Sequence, residues 1–144
     1  MKKLYIISLT ICFFTTLQSC SQTYPEELKT GVFKTTTELK TVKYMYRDKN
    51  YRYIYSDVHT GGNKLAKINW EASGYKLETI NRTSKYDDLI QTVVLDEVKD
   101  ENSFVETTFT EGIGLKFTTV WTRIDKLPNE KLDEVLKENG IKKN

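Results

Sequence analysis

The chain is poor in the residues that most metal, redox and phosphate chemistry needs. Its 144 residues include two cysteines and one histidine. Those counts exclude a disulfide framework within one chain and a zinc site built from Cys and His. Neither charge is in excess: Lys and Arg number 22, Asp and Glu 20, and Lys2 and Lys3 account for the surplus. That balance lacks the basic footprint of a nucleic-acid binder. No Gly-x-Ser-x-Gly elbow is present, and His59 sits beside the Gly61-Gly62 turn without a nucleophile in sequence context. Gly61-Gly62 and Gly112-Ile113-Gly114 are not followed by the Lys-Ser or Lys-Thr of a phosphate cradle. The acids at 87–88 and 96–101 lack calcium-loop spacing and read as a charged strand end with an acidic turn. There is no fixed-period repeat and no low-complexity segment, and the length allows at most one ordinary domain. No catalytic residue, metal site or cofactor is expected.

What is present begins with an address. Met1-Lys2-Lys3 is a short positive segment, and residues 4–14 are apolar over the length of a secretory signal. A spanning helix needs roughly 20 apolar residues, so this run is too short for one. Leu17-Gln18-Ser19-Cys20 then resembles the lipobox of bacterial lipoproteins. The resemblance implies cleavage before Cys20 and acylation of its thiol, palmitate included. Cys12 would leave with the signal peptide. Two or three acyl chains give stable anchoring, at about 0.8 kcal/mol per buried methylene. Asp is absent after Cys20, which by resemblance to lipoprotein sorting in Gram-negative bacteria implies the outer membrane of the cell envelope. Asn81-Arg82-Thr83 matches a glycosylation sequon, a chance match in such a setting.

The expected organisation has four parts. Residues 1–19 are a signal peptide, 20–30 a lipidated polar tether, 31–125 a β-barrel, and 126–144 a C-terminal helix and tail. Within the barrel, eight β-rich runs are predicted at 31–39, 42–48, 51–58, 64–71, 75–81, 89–99, 103–110 and 114–124. Clusters of Gly, Asn, Asp and Ser separate them. Period two is clear where Ile113, Leu115, Phe117 and Trp121 alternate with Lys116, Thr118 and Thr122. Eight antiparallel strands with short connections predict an up-and-down meander, and closure removes its edges. An open sheet curled over a helix is the competing geometry. In the tail, Asn129 can cap a helix whose apolar face is Leu132, Val135 and Leu136. Leu127 can staple it and Gly140 can end it. Such a helix packs on the barrel wall or across an open end.

Five tyrosines fall within twelve residues: Tyr44, Tyr46, Tyr51, Tyr53 and Tyr55. A loop of even length at 48–50 would pair them across one face of a hairpin. That face either lines a cavity, or forms an outer docking surface, or is a ladder that only stabilises the hairpin.

Gly31-Val32-Phe33 resembles the Gly-x-Trp start of lipocalin-like barrels, with Phe for Trp. Ile68-Asn69-Trp70 followed by Gly74-Tyr75-Lys76-Leu77 is similar to a hairpin of small Bacteroidetes-type lipoproteins with a lipocalin-like fold. The final Thr122-Arg123-Ile124-Asp125 fits the same pattern. The resemblance implies an all-β, eight-stranded antiparallel up-and-down lipocalin-like barrel, and implies no activity. Some such proteins carry the name of a DNA topoisomerase IV. That activity needs an ATP-binding domain, an acidic metal cluster and a Tyr beside Arg, and Arg52-Tyr53 supplies only the dipeptide.

The expected function is a non-catalytic, membrane-anchored binding module for a small apolar or amphipathic ligand. Its cavity candidates are Phe33, Trp70, Tyr75, Leu77, Leu115, Phe117 and Trp121, with Tyr44, Tyr46 and Tyr53 if the hairpin face points inward. The alternative is an interaction protein with a filled barrel that docks an envelope partner through an outer Tyr-rich face. A void of roughly 300 Å³ or more would separate the two.

Overall fold

The structure, a computed structural model, describes residues 23–38, 40–56, 63–82, 87–128 and 131–142. Its strands are β1 (Gly31–Thr36), β2 (Val42–Arg47), β3 (Tyr51–Ser56), β4 (Lys64–Trp70), β5 (Gly74–Thr79), β6 (Gln91–Val98), β7 (Ser103–Thr110) and β8 (Leu115–Ile124). Among the described residues, one helix, α1 (Lys131–Glu138), follows them, and one 3₁₀ turn, Glu26–Leu28, precedes them. Each strand pairs antiparallel with the next, and β1 pairs with β8, so the sheet closes into an up-and-down barrel. The predicted architecture is therefore the observed one, and the open sheet is not formed. His59, Gly61-Gly62, Asn129 and the whole lipobox lie outside the described residues.

Short connections follow from local chemistry. Asp48 Oδ1 accepts hydrogen bonds from the amides of Asn50 (2.7 Å) and Tyr51 (2.8 Å), which turns the chain from β2 to β3. β5 begins one residue earlier than predicted, at Gly74. A Cβ there would lie 1.9 Å from the Val93 carbonyl oxygen, so only glycine lets β5 and β6 approach this closely. A β-bulge between Leu95 and Glu97 shifts the register with β7. It turns Asp96 outward to accept from Thr107 Oγ1 at 2.5 Å.

Alternation sorts the side chains into two layers. Phe33, Met45, Ile68, Tyr75, Leu77, Val93, Leu95, Phe104 and Trp121 fill one buried cluster inside the barrel. A second cluster lies on the outer wall, where Leu132 and Leu136 of α1 pack with Tyr53 and Leu65. Tyr46, Tyr51, Tyr55, Ile80, Val135 and Ile141 border it. The helix thus covers the wall and not an end. Its C-terminus forms a Schellman motif: the Ile141 amide donates to Leu136 O (2.8 Å) and the Gly140 amide to Lys137 O (3.0 Å). Gly140 takes a φ of 68°, the left-handed geometry this cap requires.

Part of the segment 20–30, expected to be a polar linker, packs into the barrel. Tyr24 and Leu28, assigned from polarity to the 20–30 linker, are buried in the barrel's core cluster. The two apolar side chains bracket one 3₁₀ turn and so enter the barrel together. Linker composition concealed this, because Glu26, Glu27 and Lys29 supply the polarity around them.

Candidate functional site

The barrel has two unlike ends. At one, called the floor here, lie the β2–β3, β4–β5 and β6–β7 turns and the 3₁₀ turn. At the other, the mouth, lies the β7–β8 turn, with the beginnings of β2, β4, β6 and β8.

The floor is sealed around a charge pair. Arg47 Nη1 donates to Glu106 Oε1 at 2.6 Å, with the side chains 0% and 1% exposed. The same nitrogen lies 2.9 Å from the Tyr75 hydroxyl, and Nη2 donates to the Leu28 carbonyl. Tyr24 and Tyr75 donate their hydroxyls to Glu106. The rings of Tyr24, Phe33, Tyr75, Phe104 and Trp70 surround the guanidinium at 5.1–5.7 Å. Arg47 Nε is left without a partner. A buried charge is tolerable only when paired and hydrogen-bonded; three donors meet that demand at Glu106, and the Nη1 and Nη2 contacts meet it at Arg47 for all but Nε. Burial pushes the Tyr24 and Tyr75 hydroxyls well above the ordinary tyrosine range, and Glu106 pushes the same way. Both remain neutral donors through the neutral range. Beside this cluster, the Arg123 guanidinium lies 4.9 Å from the Phe33 ring and bonds the Thr30 and Glu27 carbonyls.

The mouth is different. Register places Phe117 opposite Thr108 and Leu115 opposite Thr110, and Thr108 opposite the buried Val93. Leu115 and Phe117 are therefore on the inner face, yet they are 47% and 55% exposed. The reason is the seam. β8 meets β1 only through Val32–Ile124, Phe33–Arg123 and Lys34–Thr122. Among the described residues, no strand pairs with 115–121 on that side. Ile113, Phe109 and Val120 add exposed apolar surface to the same hairpin, and Ile90 lies beside it.

The sequence-predicted residues divide accordingly. Phe33, Tyr75, Leu77 and Trp121 are inward and buried, and Trp70 packs half-buried at the floor with Nε1 donating to Lys49 O. Leu115 and Phe117 face inward at the open seam. Tyr44, Tyr46 and Tyr53 do not line the interior. They alternate with the inward Met45, Arg47 and Ile54, so period two sends them outward. The register does pair them, since four residues separate the paired Arg47 and Arg52: Tyr44 meets Tyr55 and Tyr46 meets Tyr53. Tyr44 and Tyr55 stack at 6.1 Å, and α1 covers the rest of the ladder. Burial raises the Tyr46 and Tyr53 hydroxyls to about 12, with Asp48 and Tyr55 as the second causes.

Arg47, Glu106 and Tyr24 were missed as a group. One signal was available: Arg47 shares the parity of Met45, and Glu106 that of Phe104. A charged residue on the apolar parity of two strands marks a buried pair. Two clefts lie outside the barrel, so neither is the interior void of roughly 300 Å³ that would mark a hollow barrel. One of about 530 Å³ opens beside Gly31, Tyr46 and Lys49, and one of about 370 Å³ opens beside Leu136 and Ile141 of the helix region. Among the described residues, no helix is long and apolar enough to cross a membrane. Nor does any group of three or more His, Cys, Asp and Glu stand close enough to hold a metal ion. Comparison with protein-family models, curated proteins and solved structures finds no match to this chain.

Proposed function

We propose that this chain is a lipid-anchored protein of the bacterial cell envelope that binds a small apolar or amphipathic molecule at the mouth of its barrel. The observation that carries the reading is the exposure of Leu115 and Phe117. Inner-face apolar side chains are otherwise buried or, like Ile54 and Trp70, half-buried along β1 to β7; full burial of such a side chain is worth about 1.5–3 kcal/mol, and the half left exposed here forfeits about half of it. A ligand with an alkyl or ring portion would cover them. Thr108 and Thr119, half-buried on the same face, offer hydroxyls to its polar end. The filled floor limits the ligand to the upper barrel and seam. The alternative, docking through the outer tyrosines, is disfavoured because α1 already occupies that ladder.

Native mass spectrometry of the processed protein tests the ligand, followed by thermal shift across fatty acids, lysolipids and quinones. Binding that Leu115→Ser with Phe117→Ser abolishes, with the barrel intact, is the expected result. The absence of a co-purified molecule and of any shift across the panel would sink the proposal. The anchor is tested separately, by palmitate incorporation into the wild type and its loss in Cys20→Ala.

A further inference from the structure

We propose that the floor of the barrel is held against the anchoring bilayer and that the mouth opens toward water. The proposal rests on the Cys20 anchor and adds to it a direction. Tyr24 is fixed in the floor three ways. Its amide donates to the Ala72 carbonyl at 3.0 Å, its hydroxyl donates to Glu106, and its ring packs edge-on against Trp70 at 5.0 Å. Four peptide units separate it from Cys20. At about 3.5 Å per residue, the acylated residue lies within about 14 Å of Tyr24.

The barrel is taller than that reach. β7 joins floor to mouth in eight residues, about 26 Å of strand. At the 35–45° tilt usual for barrels, the height is about 20 Å. With the mouth turned to the bilayer, the floor would stand beyond the end of the tether. Tether length, and not surface charge or apolarity, sets the attitude. The floor turns carry Lys49 and Lys99 against Asp48, Glu71, Asp100 and Glu101, and the 3₁₀ turn adds Glu26, Glu27 and Lys29, so the floor is net negative and it is the tether, not charge, that holds it to the bilayer. The exposed apolar side chains of the β7–β8 turn, Phe109, Ile113, Leu115 and Phe117, gather at the far end. A free chain could insert that patch into lipid, whereas a tether fixed at Tyr24 prevents it. The mouth therefore receives amphipathic molecules carried through water or offered by an opposing surface, and not lipids of the bilayer that holds the protein.

The test uses the full acylated protein in phosphatidylcholine vesicles containing a headgroup-labelled quencher lipid. Cys20 is the only cysteine after the signal segment, so Asn102→Cys and Glu111→Cys place single fluorophores at the floor and the mouth. The floor label is expected to be quenched at least twofold more than the mouth label. A flexible Gly/Ser insertion of about 30 residues after Thr23, with a mean reach of about 30 Å, is expected to remove that difference. Equal or stronger quenching of the mouth label in the unmodified tether overturns the orientation while the anchor stands. Failure of the acylated protein to bind vesicles overturns anchor and orientation together.

Discussion

Glu106→Gln is the perturbation that tests the floor most directly. The substitution keeps the shape and one acceptor oxygen, turns the other oxygen into an amide donor, and removes the charge opposite Arg47. A contact ion pair in a medium of effective dielectric near 20 attracts by about 4 kcal/mol, most of which offsets the desolvation of the two ions. Without its partner, the Arg47 charge remains buried and uncompensated, since an arginine does not deprotonate. The expected loss is about 3–5 kcal/mol, a large part of the 5–15 kcal/mol typical of a whole domain. The assay is urea unfolding followed through Trp70 and Trp121, which report the floor and the interior. Arg47→Met removes the stranded charge, so the double variant is expected to cost at least 2 kcal/mol less than the sum of the single losses. Strictly additive losses, or a Glu106→Gln loss under about 1 kcal/mol, would refute the account of the pair.

Three further outcomes follow from the same structure. Tyr24 and Tyr75 hold their protons more tightly folded than the ordinary value of 10.0, so the unfolded chain binds fewer protons above that pH. Stability is therefore intact below pH 10 and falls above it, by about 1.4 kcal/mol per pH unit for each group; a fall above pH 10 that is equally steep in Tyr24→Phe and Tyr75→Phe would contradict this. Leu132→Ala with Leu136→Ala uncovers Tyr53 and Leu65. Each deletion is expected to cost about 2–5 kcal/mol, and amide exchange should show β3 and β4 losing protection while β6 and β7 keep theirs. Gly74→Ala is expected to prevent folding, because its methyl would meet the Val93 backbone; a cooperative unfolding transition near that of the wild type would show that β5 and β6 can separate there.

Strand order and the C-terminal helix were legible along the chain because each depends on local signals, whereas closure was argued only from the advantage of removing edges, with an open sheet in competition. Period two, turn residues at regular spacing and a helical apolar stripe are written in neighbouring residues. Parity within one strand also told which residues share a face, as with Leu115, Phe117 and Trp121, or with the tyrosines of 44–55. It could not tell which face is inside. That choice depends on what the remaining strands and the helix bury, and here α1 covers the tyrosines while Met45 and Arg47 turn inward. Two further matters belonged to the tertiary structure alone. Arg47 and Glu106 lie 59 positions apart, and closure of the sheet is what brings their charges into contact. The exposure of Leu115 and Phe117 arises because β1 ends its ladder at Lys34, a mismatch between two strand lengths at a seam that no stretch of neighbouring residues contains.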